Sequence, residues 1–228
     1  MAAHHQSDWV RSGYLPRSFL FSSEPLPQGP AGLSEIKLPR GALFVSPDYK
    51  CCVAEVETAL VALIGYCIDL RRPGDNEAQL ARRLAETAHR AGLEAMLADA
   101  EDLVGRFVAI CRVGERWHVF NDACATRAVC YAEDRPAIAS HAVILGELVG
   151  EQPRKELFGH YWCALPGNLT PVAGVRMLPA NFVLELDRGR LRRFWPRSER
   201  RERPAAEVVD ELEDVLARTA AATAARYR

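Results

Sequence analysis

Short β-patterned runs joined by tight turns occupy the chain from Gly105 to His141, and they constrain its fold more than any other feature. GRFVAICRV and RWHVFND are separated only by Gly114-Glu115, and RAVCYAED and PAIASH follow after another short turn. A two-residue connection joins neighbouring strands that run antiparallel. This stretch therefore predicts an antiparallel sheet.

Further β-patterned runs lie on both sides of this stretch. A strand is predicted around Ser18–Ser22, another over GALFV at Gly41–Val45 and another over CCVAEV. TALVALIGYCID also reads as a strand, although its Ala and Leu content leaves a helix open. GVRMLPANFVLELDRGRLRRFWP predicts three strands, with a hairpin turn at Asp187–Gly189.

Helical periodicity is confined to three places. The run NEAQLARRLAETAHRAGLEAMLADAEDL predicts a long helix with Asp75 as its N-cap and a break at Gly92. Residues Ala142–Val149 predict a short helix, and a terminal helix follows Pro204. The terminal helix carries one narrow apolar stripe, made by Val208, Leu212, Val215 and Leu216.

The order of these elements predicts an α+β protein. Strands, a helix pair, antiparallel strands, a short helix, more strands and a terminal helix do not form an alternating βαβ array, and no G-x-G-x-x-G or P-loop is present. Residues 1–40 are rich in Pro, Gly and Ser and predict a largely irregular segment. We expect the main domain to span residues 41–200 and a separate C-terminal helix to span residues 201–228.

Composition excludes several classes of function. The 228 residues are 49% hydrophobic and 26% charged, with a net charge of −1, so no global field attracts nucleic acid or an anionic membrane. The basic run at Arg190–Arg203 is of the kind that is usually solvated. There is no apolar run of membrane-spanning length and no signal-peptide pattern before the seven cysteines. We therefore expect a reduced, cytoplasmic setting.

Candidate chemical groups are scattered along the chain. Adjacent Cys51 and Cys52 point to opposite faces if they lie on a strand, and the other cysteines lack metal-ligand spacing. Among the histidines, only His118 and His141 fall in the β region where they could approach one another. Pairs of acids near turns, more often caps or turn formers, are Asp69 with Asp75 and Asp122 with Asp134. No metal and no cofactor are expected.

The segment LVGRFVAICRVGERWHVFNDACATRAVCY, from Leu103 to Tyr131, resembles a signature of class II glutamine amidotransferase domains, especially those of asparagine synthetases. Leu103, Gly105 and Phe107 match that family's L-x-G-x-F motif. Its D-x-x-G-x-x-P-L-Y-Y motif is matched at Asp122, Arg127, Val129 and Tyr131, with Ala125 in place of glycine and Ala128 in place of proline.

Other matches to this family keep its order over roughly residues 40–200. Asp75-Asn76-Glu77 resembles part of S-D-T-E, and Gly65 resembles the glycine of N-G-E. Ala139-Ser140 with Ile144-Leu145 resembles A-S-E-x-K-A-L, and GVRMLPANFVLEL followed by FWP resembles the closing strand pair. The resemblance implies an N-terminal-nucleophile hydrolase fold: an αββα sandwich of two antiparallel sheets between helical layers. It also implies ligand-binding positions at Asp75, Gly65 and Arg127.

The departures from the family imply that glutaminase activity is lost. The family's nucleophile is a cysteine at the mature N-terminus, but this chain begins Met-Ala-Ala-His and has no cysteine before Cys51. Ile64 replaces the asparagine that supplies an oxyanion donor. Asp75 survives at the position that holds the glutamine α-amine in the family, and no catalytic residue is assigned.

Three hypotheses for function stay open at this stage. The first is a catalytically degenerate amidotransferase-like domain, a scaffold for an asparagine-synthetase-type ATP-binding domain in the same chain or in a partner, in specialised-metabolite or peptide-modification biosynthesis. The second is an enzyme that uses the cleft on another amide or peptide, through Asp75, Arg127, His118 or a cysteine. The third is a self-associating structural domain, a homodimer formed through the terminal helix. The sequence does not decide whether a second domain follows.

Overall fold

The computed structural model describes residues 15–26, 28–157, 165–199 and 202–226. Twelve strands lie in this part of the chain. They are β1 (Phe19–Ser22), β2 (Ser34–Lys37), β3 (Ala42–Val45), β4 (Cys51–Val56), β5 (Ala59–Asp69), β6 (Leu103–Val113), β7 (Arg116–Asn121), β8 (Cys130–Ala132), β9 (Ala137–Ala139), β10 (Val175–Met177), β11 (Phe182–Glu185) and β12 (Arg190–Arg193).

The strands form two six-stranded antiparallel sheets. Sheet I has the order β10-β8-β9-β1-β3-β2, and sheet II has the order β12-β11-β7-β6-β5-β4. The hairpin predicted at Gly114-Glu115 joins β6 to β7, with Val113 opposite Arg116. Another hairpin joins β11 to β12 through a short 3-10 turn at Leu186–Arg188, where a turn was predicted. The antiparallel prediction is therefore confirmed.

Three helices accompany the sheets in the described residues: α1 (Glu77–Asp99), α2 (Ala142–Val149) and α3 (Ala205–Arg226). One apolar core, which includes Phe21, Leu43, Ile64 and Ile110, lies between the two sheets. A second core lies between sheet II and α1, and a third lies between sheet I and α2. The α+β class is confirmed, with two antiparallel sheets whose outer faces are covered by helices.

The position of β5 between two apolar cores explains why its sequence lacks the usual alternation. Val61 and Leu63 pack towards α1, whereas Ala62 and Ile64 pack into the core between the sheets. Both faces of the strand are therefore buried, and each large aliphatic side chain contributes about 1.5–3 kcal/mol by leaving water. The helix that the Ala and Leu content left open does not form.

The start of α1 corrects one prediction. The N-cap is Asn76, not Asp75: its side chain accepts a hydrogen bond from the Gln79 backbone N–H, and the Gln79 side chain accepts one from the Asn76 N–H. This reciprocal capping box satisfies two donors at the helix start. The predicted break is present, because Gly92 has φ of 80° and ψ of −175°.

Two strands lie within residues 1–40, for which a largely irregular segment was predicted. β1 forms at the expected position and sits inside sheet I, paired with β3 on one side and β9 on the other. β2, which was not predicted, forms the edge of the same sheet beside β3. The sequence SEIK of β2 is mostly exposed, so it carries little hydrophobic pattern.

The C-terminal half of α3 is attached to the domain, whereas its N-terminal half is exposed. Ala222 is buried, and the Arg226 guanidinium donates to the carbonyl oxygens of Cys67 at 2.7 Å and Pro73 at 3.1 Å. Four apolar residues of the other half remain about half exposed: Val208, Val209, Leu212 and Leu216. None of the helices in the described ranges is long and apolar enough to cross a membrane.

Candidate functional site

Asp75 belongs to an ion-pair network at the start of α1. Its carboxylate lies 3.4 Å from the Arg83 Nε, and the same guanidinium contacts the buried Asp69 carboxylate at 2.5 Å. Arg226 of α3 donates to the Asp75 carbonyl oxygen. Asp69 and Asp75, which the sequence offered as a possible carboxylate pair, thus share Arg83, which is the arrangement of a structural ion pair rather than of an acid–base dyad.

Arg71 and Arg83 hold Asp69 in its charged form. Burial alone would raise the pKa of Asp69, but hydrogen bonds from the Arg71 backbone and side chain and from Arg83 outweigh it and lower that pKa below its ordinary value. A carboxylate held this way does not take up a proton near neutral pH. It is suited to fixing the turn before α1.

Gly65 lies inside β5 with φ of 105°, a conformation that favours glycine. A Cβ at this position would lie 2.3 Å from the Arg106 carbonyl oxygen on β6. Its backbone N–H donates to the Lys50 carbonyl oxygen at 2.8 Å. Its neighbour Ile64 is fully buried between the sheets. Gly65 therefore has a complete structural explanation, and no side-chain donor accompanies it.

Arg127 lies in the loop between β7 and β8 and covers an aromatic ring. Its guanidinium carbon is 5.0 Å from the centroid of the Tyr49 ring, a cation–π contact. Its carbonyl oxygen accepts from the Asn121 side-chain amide at 3.2 Å. Burial raises the pKa of Tyr49 to about 12, against the opposing positive charges of Arg127 and Arg17.

The loop that carries Arg127 is organised by Asp122. The buried Asp122 carboxylate accepts from the backbone N–H groups of Cys124 at 3.3 Å, Thr126 at 2.9 Å and Arg127 at 3.0 Å. Ala125 has φ of 50°, the left-handed region, and it occupies the place where the resembling family has glycine. The structure therefore confirms Asp122 as a turn former and gives it no catalytic geometry.

The cysteines do not form a reactive site among the described residues. Cys51 packs against the core between the sheets, and burial raises its pKa to about 12. Cys52, on the opposite face of β4 as predicted, also has its pKa raised by burial. Cys67, Cys111 and Cys130 are buried, whereas Cys124 is exposed. A thiolate is the nucleophilic form, so the buried thiols are poor nucleophiles.

The histidines and acids of the described ranges do not make a metal centre. No group of three or more His, Cys, Asp or Glu side chains there is arranged to hold an ion. His118 lies on β7 in sheet II, whereas His141 precedes α2 beside sheet I and contacts Ser140 Oγ at 2.8 Å. Burial lowers the pKa of both imidazoles. His4, His5, His160 and Cys163 lie outside the described residues.

Two cavities have walls that do not include the predicted ligand-binding residues. One of about 270 Å³ is lined by Ser18, Ser46 and Asp48, together with residues of the preceding loops. The other, of about 410 Å³, lies between the β5–β6 pair and α3, with Tyr66, Arg106 and Thr219 in its wall. Gly65, Asp75 and Arg127 line neither of them.

The three residues that the resemblance grouped make different direct contacts. Asp75 belongs to the ion-pair network at α1, and Gly65 belongs to the β5–β6 contact. Arg127 forms a cluster with two residues that the sequence did not indicate, Tyr49 and Asn121. Neither lies in a recognisable motif: Tyr49 follows a Ser-Pro-Asp turn, and Asn121 ends a strand. Only the tertiary structure identifies them as neighbours of Arg127.

The chain matches no known protein-family description, and it has no significant match among curated protein sequences.

Proposed function

We propose that this protein is a catalytically degenerate amidotransferase-like domain of the N-terminal-nucleophile hydrolase type. It acts as a scaffold for an asparagine-synthetase-type ATP-dependent enzyme that forms amides, in the same chain or in a partner, within a cytoplasmic biosynthetic pathway. The observation that carries the proposal is Ile64. At the position where the amidotransferase family supplies an oxyanion donor, the aliphatic side chain of Ile64 is buried between the two sheets.

Local geometry supports the resemblance on which the proposal depends. Ala125 adopts a positive φ at the glycine position of D-x-x-G, and the Asp122 carboxylate accepts hydrogen bonds from backbone N–H groups of the loop. Gly65 and Gly105, which match glycines of two separate motifs, both have positive φ at close contacts between β5 and β6. The motifs of the family require these backbone conformations, and this chain adopts them at the matching positions.

The environment of the remaining chemical groups supports the loss of glutaminase activity. A developing oxyanion needs hydrogen-bond donors aimed at it, but the Gly65 N–H already donates to a carbonyl and the Ile64 side chain has no donor. Cys51, which pairs with Ile64 across the β4–β5 ladder, has a pKa raised by burial to about 12. A thiol in that state lacks the activation that a nucleophile requires.

The exposed half of α3 supports a scaffolding role. Val208, Val209, Leu212 and Leu216 are 45%, 50%, 54% and 58% exposed, which is a high exposure for four neighbouring large apolar side chains. Acidic residues surround them on the same helix: Glu207, Asp210, Glu211, Glu213 and Asp214. Arg203 pairs with Glu207 and Glu211, and Arg218 pairs with Asp214, so the surroundings of the stripe are acidic by net charge only. An apolar stripe with a net acidic surround fits an apolar groove with a basic rim on the partner.

The decisive test of degeneracy is a glutaminase assay with the purified chain. Ammonia release from glutamine should stay at the rate of the buffer blank, because the Ile64 side chain supplies no oxyanion donor and burial raises the pKa of the Cys51 thiol. Steady release above that blank, abolished by Cys51→Ala, would overturn the assignment and favour a working cleft.

Partner docking is tested with an ATP-binding protein that carries S-G-G-x-D-S, lacks its own amidotransferase domain and is encoded beside this chain. The two proteins should co-elute in size-exclusion chromatography, and Leu212→Asp with Leu216→Asp should abolish co-elution. Leu169→Asp is the matched control, since Leu169 is an exposed leucine outside α3. If the chain instead forms a homodimer that the same double substitution dissociates, α3 serves self-association and the partner proposal fails.

A further inference from the structure

Three residues, of which Arg127 contacts the other two, each bury a polar side-chain atom that has no hydrogen-bond partner among the described residues. The atoms are the Tyr49 hydroxyl, the Arg127 Nε and the Asn121 Oδ1. Tyr49 is 5% exposed and Asn121 is 3% exposed. An unsatisfied buried donor or acceptor costs about 1–3 kcal/mol, so native proteins rarely leave three together. A concentration of this kind indicates a place that a polar ligand satisfies.

The cluster has a defined shape because its members hold one another. The Arg127 guanidinium lies over the Tyr49 ring at 5.0 Å, and the Asn121 side-chain amide donates to the Arg127 carbonyl oxygen at 3.2 Å. The Arg127 backbone is held in turn by the Asp122 carboxylate. The side chains that carry the unpartnered atoms are therefore pre-positioned by stacking and hydrogen bonds, as ligand-binding groups require.

The charge of the cluster is positive and uncompensated. No carboxylate of the described residues forms an ion pair with the Arg127 guanidinium. The nearest acid in the loop, Asp122, already accepts three backbone N–H groups. A partly buried guanidinium without a counter-charge is costly, because burial of a charge is stabilised mainly by an opposite charge or strong hydrogen bonds.

We propose that Tyr49, Asn121 and Arg127 form a binding site for a small carboxylate. The Arg127 Nε–H and the Tyr49 O–H donate to the carboxylate oxygens, and the guanidinium supplies the counter-charge. Asn121 Oδ1 is a hydrogen-bond acceptor and therefore repels the oxygens of a phosphate dianion. A phosphate dianion also needs more hydrogen-bond donors than the Arg127 Nε–H and the Tyr49 O–H. Asn121 Oδ1 accepts from an O–H or N–H group where the carboxylate-bearing molecule carries one, and acetate is the minimal ligand that engages the two donors alone.

This site is independent of the scaffolding role proposed above. Carboxylate binding requires neither a partner protein nor ammonia release, and its three residues are not part of α3. The thermal stability of the isolated chain therefore reports on the site alone. Failure of one proposal leaves the other standing.

The test is a titration of the full chain with sodium acetate at fixed ionic strength, maintained with sodium chloride and followed by thermal unfolding. Acetate should raise the melting temperature in a saturable way, because a ligand that binds only the folded state stabilises it by mass action. Arg127→Gln should weaken apparent acetate affinity by about tenfold or more, since a charged hydrogen-bonded partner is lost. Arg90→Gln, an exposed arginine on α1, should leave the affinity unchanged.

Tyr49→Phe keeps the site testable if Arg127→Gln does not fold. It removes only the unpartnered hydroxyl, so the acetate-free protein should be at least as stable as the parent, whereas acetate affinity should fall by several fold. A melting temperature that acetate does not raise above the chloride control would overturn the proposal. Equal acetate affinity in Tyr49→Phe and the parent would do so as well, and so would tighter binding of sodium phosphate than of acetate.

Discussion

Gly65 and Gly105 approach the facing backbone reciprocally across the β5–β6 ladder. A Cβ on Gly65 would lie 2.3 Å from the Arg106 carbonyl oxygen, and a Cβ on Gly105 would lie 2.2 Å from the Tyr66 carbonyl oxygen. Both residues have positive φ, at 105° and 137°. The two strands therefore meet here at a distance that only glycine permits, next to the fully buried Ile64.

Gly65→Ala should destabilise the fold strongly. Backbone strain of about 1–3 kcal/mol adds to a clash with a carbonyl that the sheet holds in place, so we expect a loss of about 3 kcal/mol in the free energy of unfolding. Urea denaturation measures it. Gly114→Ala is the matched control: its φ is also positive, at 62°, but nothing lies within 4 Å of the added Cβ. A loss at Gly65 no larger than that at Gly114 would contradict the close contact.

Ala125→Gly should stabilise the protein by about 1 kcal/mol. A left-handed conformation is unfavourable for alanine and not for glycine, and Ala125 has φ of 50°. Ala123→Gly in the same loop should instead be neutral or slightly destabilising, because Ala123 has no positive φ to relieve. Chemical denaturation of both variants checks the sign, and a destabilised Ala125→Gly would show that the loop is held differently.

Iodoacetamide at neutral pH should label Cys124 and spare the buried cysteines. Cys124 is the exposed cysteine of the described residues, whereas Cys67, Cys111 and Cys130 are buried with raised pKa values. Peptide mapping by mass spectrometry, with and without urea, distinguishes them. Rapid labelling of Cys51 in the native protein is the outcome that would revive a nucleophilic role, because a pKa near 12 predicts slow alkylation.

Acid should remove the stabilisation that Asp69 provides. Its pKa is lower in the folded state than in the unfolded chain, so its contribution is fully present above about pH 4 and is lost as pH falls through the folded-state pKa. Asp69→Asn should therefore lose about 2–3 kcal/mol at pH 7, where it leaves Arg83 without its buried partner, and less at pH 3.

The matched control for this pH dependence is Asp134→Asn. Asp134 is exposed and pairs with Arg135 at 3.6 Å, so its removal should change stability by less than about 0.5 kcal/mol at either pH. Urea denaturation at pH 7 and pH 3 supplies all the values. An Asp69→Asn variant with the same loss at both pH values would show that the carboxylate acts by packing rather than by charge.

Local pattern was sufficient for most of the secondary structure. The apolar run of β5, the short turn between β6 and β7 and the break at Gly92 each follow from preferences of neighbouring residues. The same information misassigned the cap of α1, because Asp75 and Asn76 are both good capping residues and only the hydrogen bonds with Gln79 distinguish them. It also missed β2, an exposed edge strand. Backbone pairing with β3 stabilises β2, whose own sequence carries little hydrophobic pattern.

The sequence by itself determined the fold class, the antiparallel pairing of successive strands and the turn built on Asp122, because these depend on residues close together in the chain. Only the tertiary structure decided that β1 lies inside sheet I and that Arg83 separates Asp69 from Asp75. It alone brought Arg127 onto the Tyr49 ring beside Asn121. Contacts between distant segments depend on how two sheets and their helices pack together, and no local pattern carries that information.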